Sequence, residues 1–326
     1  MLDNTQDVCK GARSPIAISD LGFGVSIDTI GNTRQKLAQS IVDCAKDNGQ
    51  IWQTVCKDKD NNVFTITDTK GKVWYLSNTD SQDKTAIKSP SLTYCQFDLH
   101  NLAIVLQGAA KIQTIDDTCN MSIDIATGQY TALSIARLYS YFSYYCSFIY
   151  TVLGVSKDRL AKYKPLPSDK LTRLYSLYGK QKQDFDKSSL SIVNFDKQYK
   201  DDYSQLPSND INQYFVLSLN NLWRKSQSLV VTAFGVNLQA KTVIANIALT
   251  LALNVKAINS QNVKKGNCNI TDLRTRLSVM LTDGLGLTGD LHTNTRHILT
   301  AKLNTALANK TIYSIDDIQS LANGQA

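Results

Sequence analysis

Between Gln129 and Gly154 the chain reads QYTALSIARLYSYFSYYCSFIYTVLG, with Arg137 as its one charge and eight Tyr and Phe rings. So much apolar and aromatic surface in one segment must be covered, and that requirement constrains what the other residues can build. Ala132, Ile135, Ala136, Tyr139, Phe142, Cys146, Ile149, Val152 and Leu153 recur at steps of three and four, the pattern of a packed helix. Thr127 and Gly128 precede the run and Gly154 closes it, as start and stop signals do. The other face carries Ser134, Ser140, Ser143 and Tyr144 in place of Lys or Asp, which predicts a helix surrounded by protein. A segment of this length would also cross a bilayer. Its four serines, Arg137 near the start and tyrosines at mid-depth favour instead a long buried central helix, about 129–153.

At 326 residues and 43% hydrophobic, the chain can bury a sizeable core in one or two domains. Met1 to Ser14 has no apolar h-region, so no secretory signal peptide is expected. The seven cysteines are odd in number, widely spaced and without a CxxC pair. They predict buried thiols in a reducing compartment and no disulfide scaffold or zinc site. Sequons at Asn120, Asn269 and Asn309 then read as accidental. All 28 acidic residues are aspartate, although helix surfaces ordinarily favour glutamate. The net charge of +7 is spread along the chain without a basic block, and so permits a polyanionic partner without demanding one.

In chain order, residues 1–32 read as a polar, Gly-containing lead-in. Thr33–Asn48 places Leu37, Ile41, Cys44 and Ala45 on one helical face, closed by Gly49. Ile51–Cys56, Val63–Thr67 and Lys72–Leu76 are strand-like runs joined by turn-rich KDKDNN and DTKG, a small antiparallel meander. Ser77–Ser91 is a polar bridge and the candidate domain boundary, which predicts domains at 1–90 and 91–326. Asp98–Ile112 resumes a helical pattern interrupted by Gly108. After the central helix come a basic linker at Lys157–Pro167, a Ser168-capped helix ending at Gly179, and an exposed mixed-charge loop about 180–207. Ile211, Phe215, Leu219 and Leu222 form a further helical stripe beside Trp223. Residues 240–258 alternate as a strand would but lack any turn residue, and their length favours a helix. Asp272–Asp283, Asp290–Asn309 and Ile315–Ala322 complete a mainly α chain (α+β overall) with a small N-terminal meander.

No catalytic constellation emerges. Gly284, Gly286 and Gly289 match GxGxxG, but the preceding LRTRLSVMLTD has helical spacing and only 37 residues follow, so a helix–loop–helix turn explains them better than a dinucleotide site. Asp58, Asp60 and Asn62 resemble a calcium loop, but Val63 stands at the glycine position and Thr69 at the bidentate one. A hairpin turn is favoured. The pairs Asp116–Asp117, Asp201–Asp202 and Asp316–Asp317 fit turns and caps. His292 and His297 are five apart, off the spacing of a metal pair, and His100 stands alone. Neither Ser nor Cys sits in a nucleophile motif. Neither cofactor nor metal is expected, and an enzyme is the third reading after two binding roles. The first is an assembly protein whose aromatic anchors Tyr139, Tyr141, Tyr144, Tyr145, Phe185, Tyr199 and Trp223 meet other subunits. The second is a nucleic-acid-binding protein using the Lys/aromatic loop 180–203, although aspartates weaken its field.

Ile135-Ala136-Arg137-x-Tyr139, followed on one face by Phe142, Cys146, Ile149 and Val152 and then by Gly154, resembles a segment of a virion-associated protein family of the large nucleocytoplasmic DNA viruses of algae and protists. The resemblance covers residues 135–154. It implies a structural protein of an icosahedral particle, such as a minor capsid component contacting a major capsid protein, located in the virion. It carries over no site residues. Without it the expected location is cytoplasmic, and no membrane span is predicted.

Overall fold

Phe23, Val25, Ile27 and Thr29 are buried on one side of strand β1 (Phe23–Gly31), while Gly24, Ser26, Asp28 and Ile30 on the other are half-buried. That period of two belongs to a strand covered on one face. The computed structural model describes residues 15–57, 63–79, 83–128, 130, 132–162, 217–218, 228–260, 277, 280–281, 289–314, 316–318 and 320. Within them, β1 is the middle of a large sheet. On one side follow β5 (Lys84–Lys88), β4 (Val73–Asn78), β3 (Val63–Thr67) and β2 (Gln53–Cys56). On the other lie β7 (Met121–Ala126), β9 (Ser228–Val231) and β8 (Leu217–Ser218), and β6 (Gln113–Thr114) pairs with the end of β1. Every pairing is antiparallel, with Ile27 opposite both Ile87 and Met121.

This corrects the expectation of a mainly α chain with a small N-terminal meander. The fold is α+β with a nine-stranded sheet. The three meander strands exist, but they are one flank of something larger. Residues read as a lead-in contain β1, the polar bridge contains β5, and β8 stands where a helical stripe was read at 211–222. The reason is physical: β1, β7 and β9 acquire their stability from pairing across roughly a hundred residues, as in Phe23 with Ile125 and Ile123 with Val231.

The helices stack over the sheet in sequence. Helix α1 (Arg34–Asp47), capped by the Thr33 side chain, buries Leu37, Ala38, Ile41, Cys44 and Ala45 and packs on β3. Helix α2 (Gln96–Ala110) packs on α1. The central stretch is not one helix. It divides into α3 (Ala132–Tyr144) and α4 (Cys146–Val152), with Tyr145 outside helical geometry at φ −101° and ψ 10°. Gly154 then ends α4 in the left-handed region at φ +66°, which favours glycine. Helix α5 (Lys157–Lys162) follows. Its Arg159 guanidinium donates to the carbonyls of Cys119, Met121 and Thr232 at 3.0, 3.2 and 3.3 Å, bracing β7 beside the end of β9.

Helix α6 (Ala240–Asn259) is the one described helix long and apolar enough to cross a membrane, and most of it is buried inside the protein. It packs on α2, on α3 and on α7 (Gly289–Ala308), which also touches α4. Asn259 at its end exchanges hydrogen bonds with the backbone of Ile16, which anchors the start of the described chain.

Candidate interaction surface

The three large hydrophobic side chains that stay exposed among the described residues all lie at one flank of the sheet: Ile51 at 82%, Val55 at 56% and Tyr75 at 39%. Val55, Thr65 and Tyr75 are in register across β2, β3 and β4, and therefore share one face. Lys88 of β5 is the next partner in that row, opposite Tyr75, and the Lys57 ammonium sits 5.5 Å from the centre of the Tyr75 ring. The backbone of Lys57 bonds to Val63. Antiparallel alternation therefore turns the N–H and C=O of Thr54 away from β3, toward the open edge. In the described sheet no strand lies beyond β2, and all four of its residues are exposed.

This edge is firmly positioned. Trp52, just before β2, is buried, and its indole N–H donates to Gln50 Oε1 at 2.8 Å. Gln50 Nε2 donates to Asn101 of α2 at 3.2 Å, and Asn101 Nδ2 donates to Asp68 at 2.9 Å. Asp68 closes the β3–β4 turn by accepting from the backbone N–H groups of Lys70 and Lys72. Beside it the Lys72 ammonium donates to both carboxylate oxygens of buried Asp98 at 2.8 Å, and Thr93 donates from its backbone and hydroxyl. Burial alone would raise the Asp98 carboxyl. The hydrogen bonds from Lys72 and Thr93 overcome it and keep that carboxyl below its usual range. The Lys70 ammonium lies 3.7 Å over the Phe97 ring. A half-buried clasp thus fixes an exposed edge, the arrangement a contact surface requires.

The anchors expected from sequence lie elsewhere. Tyr139, Tyr141 and Tyr145 are buried in this chain's own core and Tyr144 is half-buried. Tyr145 stacks on Tyr141 and meets Tyr144 edge-on at 4.8 Å, and the Tyr141 hydroxyl shares a hydrogen bond with Ser260. Phe185, Tyr199, Trp223 and the loop 180–203 lie outside the described residues. Ile51, Val55 and Tyr75 were missed as contact residues, because polar Gln53 and Thr65 alternate with them and mask an outward apolar row.

Asp58, Asp60 and Asn62 lie outside the described residues, between β2 and β3, and of the GxGxxG match only Gly289, the start of α7, is described. Asp116 accepts from Thr118 and Cys119 in a local turn, which keeps its carboxyl low. Ser314 and Asp317 exchange hydrogen bonds as a cap. His100 and His297 are exposed. Among the described residues no group of three or more His, Cys or Asp could hold a metal ion. Cys44 and Cys119 are buried, and burial pushes both thiols up. No protein-family model matches the chain, and no curated protein matches it.

Proposed function

We propose that this protein is a structural, assembly-forming component that makes lasting contacts with other protein subunits. The observation that carries the reading is the exposure of Ile51 and Val55 at the rigid β2 edge, with Tyr75 exposed two strands in on the same face. Exposed apolar side chains beside an open strand edge favour another chain's strand or apolar face. A virion setting, such as a minor capsid protein beneath a major capsid shell, is what the resemblance at 135–154 implies, and it belongs to the same proposal. Light scattering on the eluting protein at low and high salt tests it. A salt-stable oligomer that Val55→Lys converts to smaller species supports the reading, and a wild-type monomer at both salts overturns it.

A second reading rests on Lys57 and Lys88, which frame the exposed Tyr75 ring as a base-stacking, phosphate-contacting patch would. Affinity for single-stranded nucleic acid falling steeply with salt would favour it over the first.

A further inference from the structure

Along α6 a single polar stripe interrupts the apolar surface. Thr242, Asn246, Thr250 and Asn254 follow at four-residue spacing, and all four are buried. Thr250 Oγ1 donates back to the carbonyl of Asn246 at 2.8 Å. Asn254 Nδ2 donates to the carbonyl of Thr250 at 2.6 Å, and its Oδ1 accepts from the buried Tyr130 hydroxyl. Thr242 shares a long contact with Gln239.

Asn246 is different. Its Oδ1 accepts from Lys302 Nζ of α7 at 3.0 Å, while its Nδ2, in a fully buried side chain, finds no acceptor among the described residues. Flipping the amide would set Nδ2 against the ammonium, donor against donor, so the contact with Lys302 dictates the orientation. Lys302 carries a second surplus. An ammonium has three N–H donors, and the described residues offer this one neither a carboxylate nor any acceptor besides Asn246. A half-buried cation with no counter-charge and a buried amide with no acceptor therefore meet at one point between α6 and α7. Both lack the same thing, an acceptor, and one of them also lacks negative charge. A water molecule accepts from both groups but brings two further donors and leaves the ammonium charge uncompensated. A small anion brings only acceptor capacity and neutralises the ammonium.

We propose that Lys302 and Asn246 form a binding site for a small monovalent anion of the halide class between α6 and α7. The site is independent of the β2 edge and of the assembly reading. The test uses the full chain and bromide as the probe. Thermal unfolding is followed as sodium bromide replaces sodium gluconate at constant ionic strength. Crystals grown with bromide are examined for anomalous scattering. The midpoint is expected to climb with the logarithm of bromide concentration in wild type and Lys302→Arg, and to lose that climb in Lys302→Met and Asn246→Leu. An anomalous peak is expected within hydrogen-bond distance of both Nζ and Nδ2. Equal midpoints of the wild type in the two salts, an undiminished climb in Lys302→Met and Asn246→Leu, or bromide peaks only elsewhere would each overturn the site. If the substituted chains do not fold, the wild-type crystal decides alone.

Discussion

Gly108 of α2 lies directly against Ile41 of α1, so closely that a Cβ on Gly108 would stand 2.7 Å from the Ile41 Cα and 3.1 Å from its backbone nitrogen. The two helices can approach this far only because that side chain is missing, and Ser40 Oγ seals the contact by donating to the Gly108 carbonyl at 2.8 Å. Gly108→Ala would gain helix propensity worth about 1 kcal/mol, but backbone cannot yield as a side chain tip can. A net destabilisation of about 1–3 kcal/mol is expected from overpacking. Urea unfolding of Gly108→Ala beside wild type reads it, and an unchanged midpoint would mean that α1 and α2 separate freely.

Asp98 should matter more at neutral pH than in acid. Its carboxyl is held below the ordinary value of 3.8, so its contribution is present above that pH and is lost as pH falls through the lower, folded value. Asp98→Asn should cost about 1–3 kcal/mol at pH 7, the scale of hydrogen bonds to a charged group. The difference from wild type should shrink toward pH 3. Denaturant melts of both chains across that range measure it. A difference independent of pH would assign the cost to packing and not to the Lys72 contact.

Lys302 is lowered too, so its slope has the same sign, but here burial disfavours the charged form instead of hydrogen bonds favouring it. Burial lowers its pKa from 10.5 to about 8. Between those values the unfolded chain binds more protons, so this group adds stability as pH rises above about 8. In gluconate, wild type should gain on Lys302→Met between pH 8 and 10, and any stabilisation by bromide should fade over the same interval as the ammonium is lost. Above pH 10 the trend should reverse in both chains. Burial pushes Tyr94 and Tyr313 up to about 12, and their contribution is lost as pH rises through that value. Melting curves recorded in steps of pH distinguish these windows.

Arg159 braces β7 and the end of β9 through three carbonyls. Replacing it with Met leaves those acceptors to find other donors, at about 1–3 kcal/mol if they stay buried. Amide exchange should accelerate first in β7 and β9 and leave β2–β4 unchanged. Equal acceleration throughout the sheet would contradict a local brace.

Val55→Lys at the edge and Tyr75→Thr two strands in should leave monomer stability within about 0.5 kcal/mol, since both residues are exposed. Both should lower the assembled fraction seen by light scattering. Substitutions that unfold the protein instead would show that these side chains serve its own core.

Helices α1, α2, α6 and α7 and the β2–β4 hairpins were readable because their signals are local, whereas α5 falls in a segment that reads as a linker and β8 in one that reads as a helix. Leu37, Ile41, Cys44 and Ala45 repeat at helical spacing within one segment, and TDTKG turns β3 into β4 within five residues. The length of the run without a turn residue identified α6 as a helix. Phe23, Val25 and Ile27 also alternate visibly, but Gly22, Gly24 and Gly31 made the segment look irregular. What makes it a strand is Met121–Ala126 on one side and Lys84–Lys88 on the other. The tyrosines pose the same difficulty. A Tyr ring is apolar over most of its surface with one polar tip, so it suits a core and an interface equally. Tyr139, Tyr141 and Tyr145 became core because α6 and Ser260 arrived beside them, while Tyr75 stayed exposed because β4 faces outward there. By itself the sequence determined periodicity, caps and turns, since these depend on residues a few positions apart. Only the tertiary structure decided the size of the sheet, the exposed edge and the meeting of Lys302 with Asn246, because each depends on which distant segment arrives to cover a given face.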